Sequence, residues 1–173
     1  MQAQDSVTLS AKWLITRYKS EAAYAAHCPT PVMDPNGVLL PAFSVFSPNL
    51  LLNEGITALQ NLLIGGAETA FSNAAAYLGV GDDNTAAAAG QTGLQASTNK
   101  LYAAMETSYP AIASQTTTWR SVFGSGDANF AWAEFTVANG GSDASDNLNR
   151  KVSDQGTKAS GQVWTLDLTI TFS

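Results

Sequence analysis

The sequence is poor in the residues on which most enzyme chemistry depends. Cys28 is the only cysteine, so no intrachain disulfide can form and four-cysteine zinc sites are excluded. A single unpaired thiol fits a protein made in a reducing cytoplasm. His27 is the only histidine, which rules out multi-histidine metal sites within one chain and leaves His27 as the one residue on which a histidine-based triad could be built. Charged residues make up 13% of the chain, roughly half the usual ~25%. Eight Lys and Arg stand against fourteen Asp and Glu, a net charge of −6, which leaves no basic footprint for a phosphate backbone and argues against nucleic acid as a partner. The start, MQAQDSVTLSAKW, lacks the charged head and apolar run of a signal peptide. The longest apolar run, around Leu62-Leu63-Ile64, is too short to cross a bilayer. The expectation is a soluble protein with no membrane partner.

What is present is apolar and β-prone. Hydrophobic residues reach 45%, enough for a sizeable core, and the polar remainder is mostly Ser, Thr, Asn, Gln and Gly. Disorder, which needs low hydrophobicity and high net charge, is disfavoured. The most legible strand is the last. In VWTLDLTITF (163–172), Trp164, Leu166, Leu168, Ile170 and Phe172 share one face, and Val163, Thr165, Asp167, Thr169 and Thr171 the other. Burying the first set contributes on the order of 10 kcal/mol before entropy is subtracted. Further strands are expected at 7–19, 75–81, 115–123, 129–138 and 148–152, with 98–106 open between helix and strand. In 129–138, alternation puts Phe130 and Trp132 on one side and Phe135 and Val137 on the other.

Two helices are expected. Residues 20–27 make a brief one with Ser20 as cap. A clearer amphipathic one runs over about 53–65, where Ile56, Leu59, Leu62 and Leu63 recur at helical spacing. Asn53 is its candidate cap, Glu54 suits the positive end of its dipole, and Gly65-Gly66 ends it.

Five of the six prolines fall between 29 and 48: Pro29, Pro31, Pro35, Pro41 and Pro48. Each lacks an amide donor and biases its predecessor toward extended geometry. The same stretch carries Val32, Met33, Val38, Leu39, Leu40, Phe43, Val45 and Phe46, far more apolar surface than a solvated linker needs. An extended chain of this length reaches about 60 Å, and a body formed by residues 49–173 would have a radius of gyration near ~14 Å. The segment can fold back on its own body or cross to a neighbouring subunit, and the sequence leaves both open. The fold expected is mainly β with one short amphipathic helix: an antiparallel sandwich or barrel-like body over 49–173, plus an extended proline-rich N-terminal arm over 1–48. The residues expected to meet a partner are Trp13, Tyr18, Pro29, Pro31, Val32, Met33, Pro35, Leu39, Phe43, Phe46 and Pro48.

No constellation points to catalysis or to a cofactor. Adjacent His27 and Cys28 point opposite ways in an extended segment, out of nucleophile–base reach. Asp82, Asp83 and Asn84, or Asp143, Asp146 and Asn147, could offer oxygens to calcium, but neither loop has alternating ligands with a closing Glu. Their plainer role is to bond their own backbone in turns. Gly79-x-Gly81 lacks the third glycine and the lysine of a phosphate loop. Arg120 and Arg150 face either solvent or an intersubunit carboxylate such as Glu134 or Asp167. The four tryptophans, 13, 119, 132 and 164, read mostly as core, with Trp13 divided between core and contact.

The order of segments carries a resemblance. NLLLNEGITALQNLLIGG (49–66) and AYLGVGDDNTAA (76–87) are followed by FAWAEFTVANG (130–140), LNRKV (148–152) and GTKASGQVWTLDLTITF (156–172). This set resembles a diffuse group of tailed-bacteriophage virion proteins, among them capsid decoration (cement) proteins and tail-associated β-domains. It covers about residues 49–173 and leaves out the arm. The resemblance implies a non-enzymatic structural subunit with no catalytic residues to carry over. Its expected partners are the major capsid protein and copies of itself, as a homo-oligomer such as a trimer. Its expected place is the capsid surface, after synthesis in the host cytoplasm. The alternatives are a tail, collar or fibre-associated domain, and, outside the structural class, a carbohydrate-binding module using exposed tryptophans.

Overall fold

The computed structural model describes residues 8–173; the start of the strand expected from residue 7 lies outside them. In chain order the elements are β1 (Leu9–Tyr18), α1 (Glu21–Ala25), β2 (Val32–Met33), β3 (Leu39–Leu40), β4 (Phe43–Phe46), β5 (Leu50–Leu51), α2 (Asn53–Leu63), β6 (Tyr77–Gly81), β7 (Lys100–Ala104), β8 (Ala111–Ala113), β9 (Thr116–Phe123), β10 (Glu134–Ala138), β11 (Asn149–Val152) and β12 (Val163–Phe172). Among the described residues they form two five-stranded sheets, β4-β1-β12-β9-β8 and β5-β11-β10-β6-β7, and a separate β2–β3 hairpin. Every pairing is antiparallel. The fold is thus mainly β, with the sheets in a sandwich-like arrangement.

The long strands follow their alternation. β1 pairs with β12 over its whole length, from Leu9↔Phe172 to Tyr18↔Val163. Trp13 and Ile15 thereby stand beside Leu168 and Leu166, and all four are buried. Inward residues of the second sheet, Leu78, Val80, Phe135 and Val137, complete one core with Trp119, Phe123, Trp132 and Trp164. All four tryptophans are core residues, Trp13 included. Because β1 lies inside the first sheet, the front of the chain is an integral part of the body that begins, by sequence, at residue 49.

Several local expectations are corrected. Strand β10 starts only at Glu134, because the Trp132 amide bonds Gly156 O and its indole bonds Ala128 O. The chain is therefore not a continuous strand from 129, and Trp132 enters the same core as Phe135 and Val137. Residues 100–104 resolve as strand. Helix α1 has the expected Ser20 cap, which accepts the Ala23 amide. In α2 the N-cap is Leu52 with no side-chain bond, and Asn53 is already helical. The buried stripe of α2 is Gly55 and Ala58, with Leu59 and Leu62 packed beside them, whereas Ile56 and Leu63 face solvent. Gly55 sets that orientation: a Cβ there would run into the backbone of Leu148. The outer face of β12 is also not free. Val163 is covered by a small cluster of Tyr18, Ala23 and Tyr24 from β1 and α1, and Asp167 is held by Arg120.

Candidate interaction surface

The proline-rich segment is docked on its own body, yet only three of its eight large apolar side chains, Val32, Leu40 and Phe46, are buried in doing so. β4 pairs with β1 from Trp13↔Phe46 to Thr16↔Phe43, which makes it the terminal strand of the first sheet. Phe46 turns inward and stacks on Trp13 with centroids 6.3 Å apart. In the hairpin, Val32 and Leu40 are paired and buried, and Leu40 fills the space where a Cβ on Gly156 would stand. Gly156 has φ +82°, so this position suits glycine on both counts. The Gln162 amide donates to Met33 O at 2.7 Å.

Arg17 is the main polar clamp. Its Nη1 donates to Pro41 O at 3.0 Å and to Ser44 Oγ at 2.7 Å, and its Nη2 to Gln155 O at 2.9 Å. The guanidinium lies 4.4 Å from the Trp164 ring centroid. Among the described residues no carboxylate lies in ion-pair range of this buried group, and burial pushes its pKa down to about 10. Arg17 forms the floor of an open groove of about 500 Å³ between the arm and residues 154–157.

The other five large apolar side chains of the arm face water. Met33, Val38, Leu39, Phe43 and Val45 are 53%, 54%, 65%, 54% and 59% exposed. Among the described residues, five of the ten exposed large hydrophobics thus fall within this one segment. Of the residues expected to meet a partner, Met33, Leu39 and Phe43, with Pro31, Pro35 and Pro48, are on the surface. Pro29 is half-buried. Trp13, Tyr18, Val32 and Phe46 are enclosed by the chain itself and cannot reach a partner, which corrects their assignment. Val38 and Val45 belong to the surface and were not among those expected. The signal for β4 was period two: Phe43 and Val45 share one face, and Ser44 and Phe46 the other. A second exposed apolar spot lies at the end of α2, at Leu63 and Ile64.

The charged candidates are occupied internally. Arg120 and Arg150 do meet Asp167 and Glu134, but within one chain: Arg120 Nη2 to Asp167 at 3.0 Å and Arg150 Nε to Glu134 at 2.7 Å. Both carboxylate partners lie within the chain, and the solvated reading fails for Arg150, which is wholly buried, while Arg120 keeps about one-third of its side chain exposed. The Asp167 hydrogen bond is the main cause that raises the Arg120 pKa. Arg150 and Glu134 are wholly buried. Glu134 also accepts the amides of Gln95 and Ala96, and Arg150 donates to Thr85 O, Gln91 and Asp83. Residues 82–99 are thereby strapped over the outer face of the second sheet. Burial opposes ionisation of Asp83, but bonds from Thr85 and Arg150 outweigh it and hold its carboxyl below the usual range.

Asp82 accepts from Asn99, and Asp143 from Lys100 and the Tyr102 hydroxyl, so these loop acids serve their own chain. Among the described residues no group of three or more His, Cys, Asp or Glu is placed to hold a metal. His27 and Cys28 are exposed, and the Cys28 thiol contacts Ala26 O. No protein-family model, curated protein or solved structure matches this chain.

Proposed function

We propose that this chain is a non-enzymatic structural subunit of a tailed-bacteriophage particle, a capsid decoration protein that binds the outer face of the shell. The observation that carries the reading is the outward face of the arm. Five apolar side chains on a proline-braced, internally clamped segment face water at a cost no monomer needs to bear. A rigid surface of this kind loses little entropy when a partner covers it. Many copies on one shell turn a modest contact into a strong one. The net charge of −6 suits a face turned away from packaged nucleic acid.

Densitometry and mass spectrometry of purified particles test the assignment. Decoration predicts hundreds of copies per particle. A handful of copies, or one tube's worth, would move the protein to the tail. Absence from the particle would reject both placements, and turnover of a substrate by the purified chain would reject the structural class.

A further inference from the structure

The sandwich has four sheet edges, and three are blunted. β5 is two residues long and β8 three. β7 carries Lys100, and the chain just beyond it bridges to the other sheet through Met105↔Ser121, closing that corner. β4 differs. It has no charge and no proline within it, its outward side chains are Phe43 and Val45, and among the described residues no strand lies on its far side.

The direction of its backbone groups follows from the pairing. Arg17 donates its amide to Ala42 O, so Ala42, and by alternation Ser44 and Phe46, turn their polar groups toward β1. The amides and carbonyls of Phe43 and Val45 point to the open edge. We infer that a second copy of this chain docks there, β4 against β4 in antiparallel register about a two-fold axis through Ser44. This deepens the assembly reading and rests on it for one premise, that the arm face is covered in the particle.

Three observations favour a second copy as the occupant. The edge is self-complementary: with Ser44 on the axis, Phe43 of each copy stands opposite Val45 of the other. Each such pair exchanges two hydrogen bonds and stacks an aromatic on a β-branched side chain on the outer face. The edge is also apolar: Phe43 and Val45 are 54% and 59% exposed, a surface that a second copy would cover. Finally, the stretch 29–48 carries a single charge, Asp34, and it is buried and bonded to the Asn36 and Val38 amides. Two chains of net charge −6 can therefore approach along this strip without placing like charges in contact.

Sedimentation of the purified full chain across the micromolar range is the test. The wild type is expected to dimerise. Val45→Lys or Phe43→Glu alone puts a charge on the shared face and should weaken the dimer by about tenfold or more. The double variant places ammonium opposite carboxylate across the axis in both pairs and should restore it. Both sites are more than half exposed, so circular dichroism should show an unchanged fold. A folded wild type that stays monomeric throughout overturns the inference, as does a dimer indifferent to both single changes. A double variant no better than the singles overturns the register. Particle content is scored separately: a monomer abundant on particles sinks the dimer and spares the assembly reading, whereas a dimer absent from particles does the reverse.

Discussion

Residues 82–99 and 29–48 each drape over the sandwich with little regular structure of their own, and they are held by opposite means. The first is tied by buried charge. Arg150 and Glu134 meet away from water and spend their remaining bonds on the strap's backbone. The second is tied by Arg17 and by three inward apolar residues, while five of its large apolar residues are left outside. Burying charge and exposing grease are both costly for a lone monomer. The buried charges are fully bonded within the chain, so their cost is met at home. The exposed apolar residues have no such compensation, and this difference is what points to a partner at the arm and none at the strap.

The largest expected effect lies in the strap. Glu134→Ala leaves Arg150 buried without its carboxylate and should cost about 3–5 kcal/mol in urea denaturation. A loss below about 1 kcal/mol would mean that the pair is not the strap's anchor. Next comes Gly55→Ala in α2. Helix propensity favours alanine by about 1 kcal/mol, but the new methyl meets Leu148 backbone, which cannot move aside as a side chain tip could. Overpacking should prevail, with a net loss of about 1–3 kcal/mol; a stabilised variant would show that α2 can shift.

On the arm, Arg17→Ala removes three hydrogen bonds and the contact with Trp164. It should cost about 1–3 kcal/mol and make 29–48 the first site of proteolytic nicking. Cleavage unchanged from wild type would show that the apolar contacts suffice. A smaller, pH-dependent effect comes from another buried cation. Burial pushes Lys158 down to about 8, although its ammonium reaches Gly124 O, Asp127 O and Asn129. Between that value and the ordinary lysine pKa near ~10.4, the unfolded chain binds more protons than the folded one. Stability from this group should therefore rise with pH across that window. Tyr24, pushed up to about 12, contributes the opposite slope only above about pH 10. Titrating the denaturation midpoint from pH 8 to 9.5 reads the sign, and Lys158→Met should flatten the curve. The smallest effect belongs to the outward residues. Leu39→Ser and Val45→Ser should each change stability by less than about 0.5 kcal/mol while lowering particle occupancy. A large loss of stability would place them in the core's service.

The sequence made the fold legible where alternation is long. The full-length pairing of β1 with β12 follows the expected faces, and the concentration of prolines and apolar residues marks the arm. Less legible were features that depend on partners distant in sequence. Trp13 reads as either core or contact until Phe46 and Phe135 are seen around it. Glu134 sits in an apparently ordinary strand, and only Gly81 opposite it, where a Cβ would collide with its carboxylate, makes room for the charge. The strap is hard to read from sequence because its small residues contribute backbone amides more than side chains. Within the arm, period two separates Phe43 and Val45 from Phe46, so a contact set holding both Phe43 and Phe46 spans two opposite faces.

Hydroxyl-radical footprinting, comparing the free protein diluted to its monomer with the native particle, addresses the central claim directly. Oxidation of Met33, Leu39, Phe43 and Val45 should fall strongly on the particle. Trp132 and Phe135, buried in both, should be unreactive in both. Equal oxidation of the four arm residues in the two states would mean that nothing covers this face in the assembled particle, and the account would be contradicted.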